Sequence, residues 1–177
     1  MQLDLLGSYK TPRALSEGEI LDIIQRFAAA AQIAKETGFT GVQVHGAHGY
    51  LISSFLSPVT NRRQDRWGGA VENRARLLIE CVRAVRAAVG ADYPVAVKLN
   101  SDDFRKGGFS HSDCLQVVQL LNQEGLDLLE ISGGTYEQPR LLGVEGRSAD
   151  AVAVRASTRV REAYFLEYAE AIRAVAR

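Results

Sequence analysis

The stretch "GVQVHGAHGYLISSFLSP", residues 41–58, contains the unit that decides the fold. Its first part, GVQVHG, alternates apolar and polar residues in the manner of a short strand, so Val42 and Val44 share one face. Its second part, YLISSFL, predicts one or two helical turns, which Pro58 stops. The sequence therefore predicts a strand that is followed, after a short turn, by a helix.

The same alternation of strands and helices continues on both sides of this unit. A capping box in "SEGE", residues 16–19, starts a helix, and Gly38 ends it. The other predicted elements are, in order, a helix over about 71–89, a strand in "YPVAVKLN", a helix capped by Ser110 or Ser112 that ends near Glu124 before Gly125, a strand in "LDLLEIS", and a helix from about Arg161 to the end. Because strands that alternate with helices pair in parallel through right-handed crossovers, this order predicts an α/β fold.

Two of the predicted strands are followed by long loops rich in polar and glycine residues. Doubly wound sheets and β/α barrels both place their chemistry in loops at the carboxyl ends of strands. No Gly-x-Gly-x-x-Gly follows a strand, which argues against a dinucleotide-binding Rossmann fold. Three β/α units are fewer than half of the eight that close a barrel. The sequence is therefore expected to form a single partial domain over residues 1–177.

The composition is that of a globular protein and narrows the classes of partner. Of the 177 residues, 46% are hydrophobic and 24% are charged, and 21 Lys and Arg balance 21 Asp and Glu. This balance gives no field that would attract nucleic acid or an anionic membrane. The sequence shows no apolar run long enough to span a membrane and no signal peptide, so a cytoplasmic location is expected.

The two cysteines, Cys81 and Cys114, each lie in an apolar-periodic helix and predict buried free thiols. An iron–sulfur cluster held by this chain alone is excluded, because such a cluster needs about four thiolates.

His45, His48 and Tyr50 lie where the first strand gives way to its helix. No Cys, Asp or Glu stands beside the two histidines at metal-site spacing, and a catalytic metal usually takes three protein ligands, so no metal site is predicted. Two interpretations remain open from the residues alone. The histidines are either ordinary loop side chains, or polar donors in a site where the phenol of Tyr50 supplies a proton.

Further polar residues mark the ends of the second and third strands. Lys98 would be costly to bury, so it either extends to solvent or reaches an anionic group in the site. Glu130, within the third strand, needs a partner or a wet surrounding. Asn100, Asp102 and Asp103 are either site residues or turn formers.

The charged residues of the loop before the helix at about 71–89, and of the first turn of that helix, are expected to be structural rather than to contact a substrate. Their side chains predict a set of hydrogen bonds and ion pairs that hold the loop, namely Asp65, Arg66, Glu72, Asn73 and Arg74. Trp67, before two glycines, is expected to anchor this loop to the body of the protein.

Four segments together resemble the old yellow enzymes: "HGAHGYLISSFLSPVTNRRQDRWGGAVENRARLL", "VKLNSDDF" followed by "GGF", "DLLEISGGTYE" and "REAYFLEYAEAIR". These are FMN-dependent NAD(P)H:flavin oxidoreductases and ene-reductases built on a (β/α)8 TIM barrel. The resemblance runs in order through nearly all of the chain. It implies an incomplete barrel of about three β/α units, from the helix before strand 4 to the helix after strand 6.

The resemblance also implies roles for individual residues. His45 and His48 match the pair that binds the carbonyl or nitro oxygen of an activated alkene, the second position being Asn in some members. Tyr50 matches the tyrosine that protonates the alkene carbon, and Lys98 matches the cation near flavin N1 and O2, with His45 also in the cofactor site. The implied reaction passes a hydride from NAD(P)H through FMN to an enone or nitroalkene.

The sequence also departs from the family pattern. It shows no counterpart of the strands that open the barrel around the flavin ring, nor of the glycine-rich strand ends and Arg that bind the FMN phosphate. Most of the affinity for FMN should then be missing. The alternative expectation is a truncated, inactive fragment or a half-barrel that needs a complementary chain, and a homo-oligomer is a further possible assembly.

Overall fold

The computed structural model describes residues 12–135 and 165–177, in which helices and parallel strands alternate. The elements are α1 (Glu17–Glu36), β1 (Val42–Gly46), α2 (Leu51–Leu56), α3 (Val71–Val89), β2 (Val95–Asn100), α4 (His111–Leu121), β3 (Leu128–Ser132) and α5 (Leu166–Val175). The predicted order is confirmed over this part of the chain. The long loop after β3 and the predicted start of the last helix near Arg161 lie outside the described residues.

The three strands pair in parallel in the order β1-β2-β3. In this register His45 lies beside Lys98, and Lys98 lies beside Glu130. Because side chains alternate between the faces of a strand, these three residues share one sheet face with Gln43. The opposite face carries Val44 and its apolar neighbours.

The core lies between that apolar face and the helices. Val44 and the β2 residues Val95, Val97 and Leu99 are buried with the inner sides of α1, α3 and α4. The stripe of α3 that faces them is fully buried: Leu77, Leu78, Cys81, Val82 and Val85. Helices thus cover one face of the sheet, as in a β/α barrel, where the other face points to the barrel interior.

Both cysteines are buried free thiols, as predicted. Burial raises the pKa of Cys81 and of Cys114 to about 12, because a thiolate would lose its hydration there. Thiols with so high a pKa stay protonated near neutral pH, whereas the thiolate is the reactive form of cysteine.

Capping boxes start two of the helices. The hydroxyl of Ser16 accepts from the amide of Glu19, whose carboxylate accepts from the amide of Ser16 at 2.7 Å. Ser110 makes the same reciprocal pair with Asp113, and this settles which of the two candidate serines caps α4. Both helix starts were therefore readable from local sequence.

The end of α4 differs from the prediction, because the helix stops at Leu121 instead of near Glu124. Asn122 is held by a tertiary contact: its side-chain amide donates to the carbonyl of Val175 at 2.8 Å and accepts from the amide of Arg177 at 2.9 Å. These bonds fix the residue that follows α4 to the end of α5. A local helical pattern cannot reveal such a partner.

Among the described residues, no helix is both long enough and apolar enough to span a lipid bilayer.

Candidate active site

His45, His48 and Tyr50 come together at the carboxyl end of β1. His45 lies in the strand, whereas His48 and Tyr50 lie in the turn before α2. The centroid of the His45 ring is 5.2 Å from that of His48 and 5.0 Å from that of Tyr50. Two imidazoles and a phenol therefore converge on one place at the edge of the sheet.

The turn that carries His48 has an unusual backbone. His48 and Gly49 both have positive φ, 64° and 78°, a region that costs a non-glycine residue roughly 1–2 kcal/mol. The amide of His48 donates to the side-chain oxygen of Asn100 at 3.2 Å, and the amide of Gly49 donates to the hydroxyl of Ser53 at 3.0 Å. Specific bonds thus hold a strained turn, which is a common property of functional sites.

The ring of His48 is also held directly. Its Nε2 lies 2.6 Å from the hydroxyl oxygen of Ser132, the last residue of β3. The sequence did not single out Ser132, because a serine before two glycines reads as an ordinary turn residue. Only the parallel register places its side chain beside the loop that follows β1.

The ring of His45, in contrast, has a nitrogen without a hydrogen-bond partner among the described residues. This atom is Nδ1, and it is buried. Leaving such a polar atom unpaired costs about 1–3 kcal/mol. An atom of this kind, at the carboxyl end of a parallel strand, suits a site completed by a bound molecule.

The surroundings of both imidazoles favour their neutral form. Burial lowers the pKa of His45, and the positive charge of Lys98 lowers it further. Burial also lowers the pKa of His48, together with His45 and Lys98, while Glu130 opposes the shift in both rings. A neutral imidazole carries one N–H donor and one acceptor nitrogen.

We expect both rings to titrate below the ordinary histidine pKa of 6.5 in the folded chain. The unfolded chain then takes up these protons at higher pH than the folded chain does. The free energy of unfolding should therefore fall as the pH drops from about 6.5 through the folded-state values. Proton NMR of the ring signals gives both pKa values, and urea unfolding at several pH values gives the slope. A folded-state pKa above 6.5 for either ring would contradict this expectation.

Lys98 reaches an anionic group instead of solvent. Its Nζ lies 2.6 Å from one carboxylate oxygen of Glu130, and the side-chain amide of Gln43 donates to the other at 2.9 Å. These contacts, chiefly the bond from Lys98, lower the pKa of Glu130. Glu130 thus has the partner that its place in a strand requires.

Asn100 joins the three loops at this edge. It is 1% exposed, and its amide nitrogen donates to a carboxylate oxygen of Asp103 and to the carbonyl of Gly134, both at 2.9 Å. Its oxygen accepts from the amide of His48. Burial raises the pKa of the Asp103 carboxyl. Of the two roles left open by the sequence, both residues have the structural one: they hold the loops that follow β1, β2 and β3.

Comparison with known proteins identifies the family. The model of the NADH:flavin oxidoreductase / NADH oxidase family matches residues 2–164. The chain belongs to this family. Its relatives include flavin oxidoreductases named for NADH and dehydrogenases named for NADPH, so the family consists of FMN enzymes that use nicotinamide reductants.

Individual members of the family give the scale of the similarity. An NADH-dependent flavin oxidoreductase of Neonectria sp. (strain DH2) is 40% identical over 166 residues, which is 93% of this chain and 21% of that protein. A solved 2-naphthoyl-CoA reductase, in complex with 2-naphthoyl-CoA, is 34% identical with a TM-score of 0.76, and the match covers 92% of this chain and 23% of that one. The old yellow enzyme homologue of Zymomonas mobilis is 33% identical with a TM-score of 0.66, and the match covers 74% and 39%.

The chain spans 20% to 40% of the length of four curated members of the family. Its three parallel strands and the helices around them form part of the (β/α)8 barrel of the old yellow enzymes. The expected fold class and the resemblance to this family are both confirmed.

The charged residues in the loop before α3 and in the first turn of α3 form the structural contacts that were predicted for them, except for Glu72. Arg74 is 6% exposed and donates to the carbonyls of Leu56 and Gly69 and, at 3.1 Å, to the carboxylate of Asp113. These bonds connect the end of α2, the loop and the start of α4. Among the described cations of this segment, Arg74 is the most buried.

Other members of the segment pair with closer neighbours. Asp65 accepts from Arg63 and from the amide of Trp67, and Arg66 pairs with Glu17 at 2.7 Å. Asn73 accepts from Arg76 at 2.8 Å. Glu72, in contrast, makes no hydrogen bond or ion pair within the described parts of the chain, and it lies in the first turn of α3, where an acidic side chain favours the helix dipole.

Trp67 anchors the loop as expected. Its side chain is buried, with 1% exposed, and the guanidinium of Arg66 lies 4.9 Å from the centroid of its ring.

In residues 12–135 and 165–177, no group of three or more His, Cys, Asp or Glu side chains is arranged to hold a metal ion.

Proposed function

We propose that this chain carries the residues that activate the substrate and donate the proton in an FMN-dependent NAD(P)H:flavin oxidoreductase of the old yellow enzyme type. The proposed substrates are activated alkenes, such as enones and nitroalkenes. The observation that carries the proposal is that the rings of His48 and Tyr50 both lie beside His45, with centroids 5.2 Å and 5.0 Å from that of His45. A name in the family supports this class, since the naphthoyl group of 2-naphthoyl-CoA has a carbonyl next to unsaturated carbons.

One face of the sheet carries Gln43, His45, Lys98 and Glu130, and its residues fit FMN. The buried Nδ1 of His45 has no partner among the described residues, and Lys98 stands beside His45 in the register of the sheet. FMN, when bound, supplies the hydride that adds to one alkene carbon. We infer that Lys98 and His45 help to hold the flavin, with the ammonium of Lys98 near N1 and O2, and that Glu130 keeps this ammonium in place.

His45 and His48 would bind the oxygen of the activating group. As neutral imidazoles, each can direct one N–H at a carbonyl or nitro oxygen without bringing a full charge into the site. Negative charge grows on this oxygen as the alkene is reduced, and fixed donors stabilise it. The loss of one such donor typically slows a reaction 10²–10³-fold.

Tyr50 would complete the reaction. Its phenol donates a proton to the alkene carbon that does not receive the hydride, so hydride and proton together convert C=C into CH–CH. The ring is 44% exposed and stacks at an angle beside His45. This placement puts the ring beside His45, one of the two residues that would hold the substrate.

A second candidate is a part of a barrel that needs a complementary chain to hold FMN. One observation favours it. Leu128, on the same sheet face as Lys98 and Glu130, is 60% exposed, and the side chains of Glu130 and Lys98 are 43% and 25% exposed. In that case the three rings are present but act only after assembly.

The test is to mix the purified chain with FMN, remove free FMN, and record the flavin absorption band. If the first proposal holds, the chain keeps a flavin and oxidises NADH or NADPH in a reaction that cyclohexenone stimulates. If the weak FMN affinity expected from the sequence dominates, it does not. The double variant His45→Ala/His48→Ala should lose this stimulation, whereas His111→Ala, which removes the third histidine of the chain, should keep it. A colourless chain that self-associates or binds the dye ANS would favour the second candidate. Full stimulation in the double variant would refute the proposed roles of the two histidines.

A further inference from the structure

We propose that Ser132 is a positioning residue that sets the tautomer of His48. Its hydroxyl donates to Nε2 of the ring, so the ring proton resides on Nδ1 and Nδ1–H is the donor offered to the substrate. The catalytic meaning of this bond rests on the proposed function, whereas the bond and the tautomer can be tested without it.

The first support is the rigidity of Ser132. It is buried and ends β3, next to the end of β2. Its carbonyl accepts from both the amide and the hydroxyl of Ser101, at 2.6 Å and 2.9 Å. The main chain of Ser132 is thus fixed on the sheet, and the hydroxyl can set the orientation of the ring that lies 2.6 Å from it.

The second support is a count of donors and acceptors. A neutral imidazole has one donor and one acceptor, whereas a hydroxyl can serve as either. If Nε2–H donated to Ser132, the hydroxyl proton would need another acceptor, and none is found for it among the described residues. If Ser132 donates, both groups are satisfied by one bond.

The third support comes from what the site must do. With the proton on Nε2, Nδ1 of His48 would present a lone pair, which repels the negative charge that grows on the substrate oxygen. With the proton on Nδ1, the same ring stabilises that charge. The sequence resemblance assigns His48 to oxygen binding, but the structure shows that Nε2 is already engaged.

The ionisation of the ring is compatible with this arrangement. The charged and titratable groups around it are His45, Tyr50, Lys98 and Glu130, contributed by β1, its turn, β2 and β3. Burial lowers the pKa of His48, so the neutral ring is the one that exists near neutral pH. A hydroxyl that donates to Nε2 favours this neutral form as well.

The experiment is long-range ¹H–¹⁵N NMR of the chain labelled with ¹⁵N-histidine, at a pH where the rings are neutral. The chain has three histidines, so single replacements assign each ring, and His111 serves as an internal reference. In the unaltered chain, we expect Nε2 of His48 to show the shift of an unprotonated nitrogen and Nδ1 that of a protonated one. The opposite pattern would overturn the proposal, whatever the variants do.

Two variants then test the cause. Ser132→Ala should convert His48 to a mixture of tautomers, whereas Ser132→Thr, which keeps the hydroxyl, should restore the pattern. Ser57→Ala is the control, because it also removes a buried hydroxyl, but one that bonds to Asp103 and to neither Ser132 nor His48 among the described contacts. An unchanged His48 in Ser132→Ala, with native amide dispersion and unaltered His111 signals, would refute the role of Ser132.

Activity separates this inference from the proposed function. In the chain loaded with FMN, Ser132→Ala should slow the reduction of cyclohexenone by up to about 10²-fold and leave the reduction of the flavin by NADH unchanged. If the chain never reduces an alkene but His48 shows the expected tautomer, the proposed function falls and the role of Ser132 stands. If alkene reduction occurs while the proton lies on Nε2, the proposed function stands and the role of Ser132 falls.

Discussion

Replacement of Tyr50 by Phe should slow the reduction of cyclohexenone by the FMN-loaded chain on the order of 10²–10⁴-fold. The change removes one hydroxyl and keeps the ring that packs 5.0 Å from His45. The reduction of the flavin by NADH should be unaffected, because no proton from Tyr50 takes part in it. Stopped-flow absorbance follows the two half-reactions separately and shows which one the substitution slows.

Tyr93→Phe is the matched control for this experiment. The phenol of Tyr93 donates to the carbonyl of Phe39 at 2.6 Å, near the amino-terminal end of β2 and away from the candidate site. The control should therefore reduce cyclohexenone at the normal rate. Equal losses in both half-reactions of Tyr50→Phe would show that Tyr50 supports the flavin site as a whole, and would rule out a specific role as proton donor.

Replacement of Arg74 by Ala should lower the free energy of unfolding by about 3–5 kcal/mol. The side chain is 7% exposed, and its loss leaves the carboxylate of Asp113 and the carbonyls of Leu56 and Gly69 without their cationic partner. Removing one member of a buried pair is costly because the remaining charge stays buried. Urea unfolding followed by circular dichroism measures the change as a lower midpoint with an unchanged slope.

Two further variants keep this prediction testable. Arg74→Lys retains the charge but cannot reach all three acceptors. Its free energy of unfolding should therefore lie between those of the wild type and Arg74→Ala. Arg26→Ala breaks an ion pair with Asp22 whose two side chains are 77% and 56% exposed, and it should change the stability by no more than about 0.5 kcal/mol. If Arg74→Ala lowers the free energy of unfolding as little as Arg26→Ala does, the buried pair of Arg74 and Asp113 does not stabilise the protein.

Much of the fold could be predicted because its signals are local. The capping boxes at Ser16 and Ser110, the apolar stripe of α3 and the apolar run of β2 each occupy a few neighbouring residues. Their alternation determines the parallel sheet through general rules of chain connection. The predicted end of α4 was too late: the helix ends at Leu121, and the next side chain, Asn122, bonds to α5 more than fifty residues later, a contact that no local pattern reveals.

The candidate site could be predicted only in part, for a similar reason. His45, His48 and Tyr50 lie within six residues of one another, so a local motif reveals them. Ser132 lies 84 residues from His48, and Glu130 lies 32 residues from Lys98. Those pairings can be predicted only if the register of β1, β2 and β3 is known, and that register is a property of the whole sheet.

Asn100 has a practical consequence for anyone who wishes to redesign this protein. Its single amide group touches the segments that follow all three strands, through His48, Asp103 and Gly134. A loop taken from a relative and inserted after one strand would have to offer its atom to the same amide, or it would lose the anchor that the other two loops share. The three loops should therefore be exchanged together, as one cassette that includes position 100.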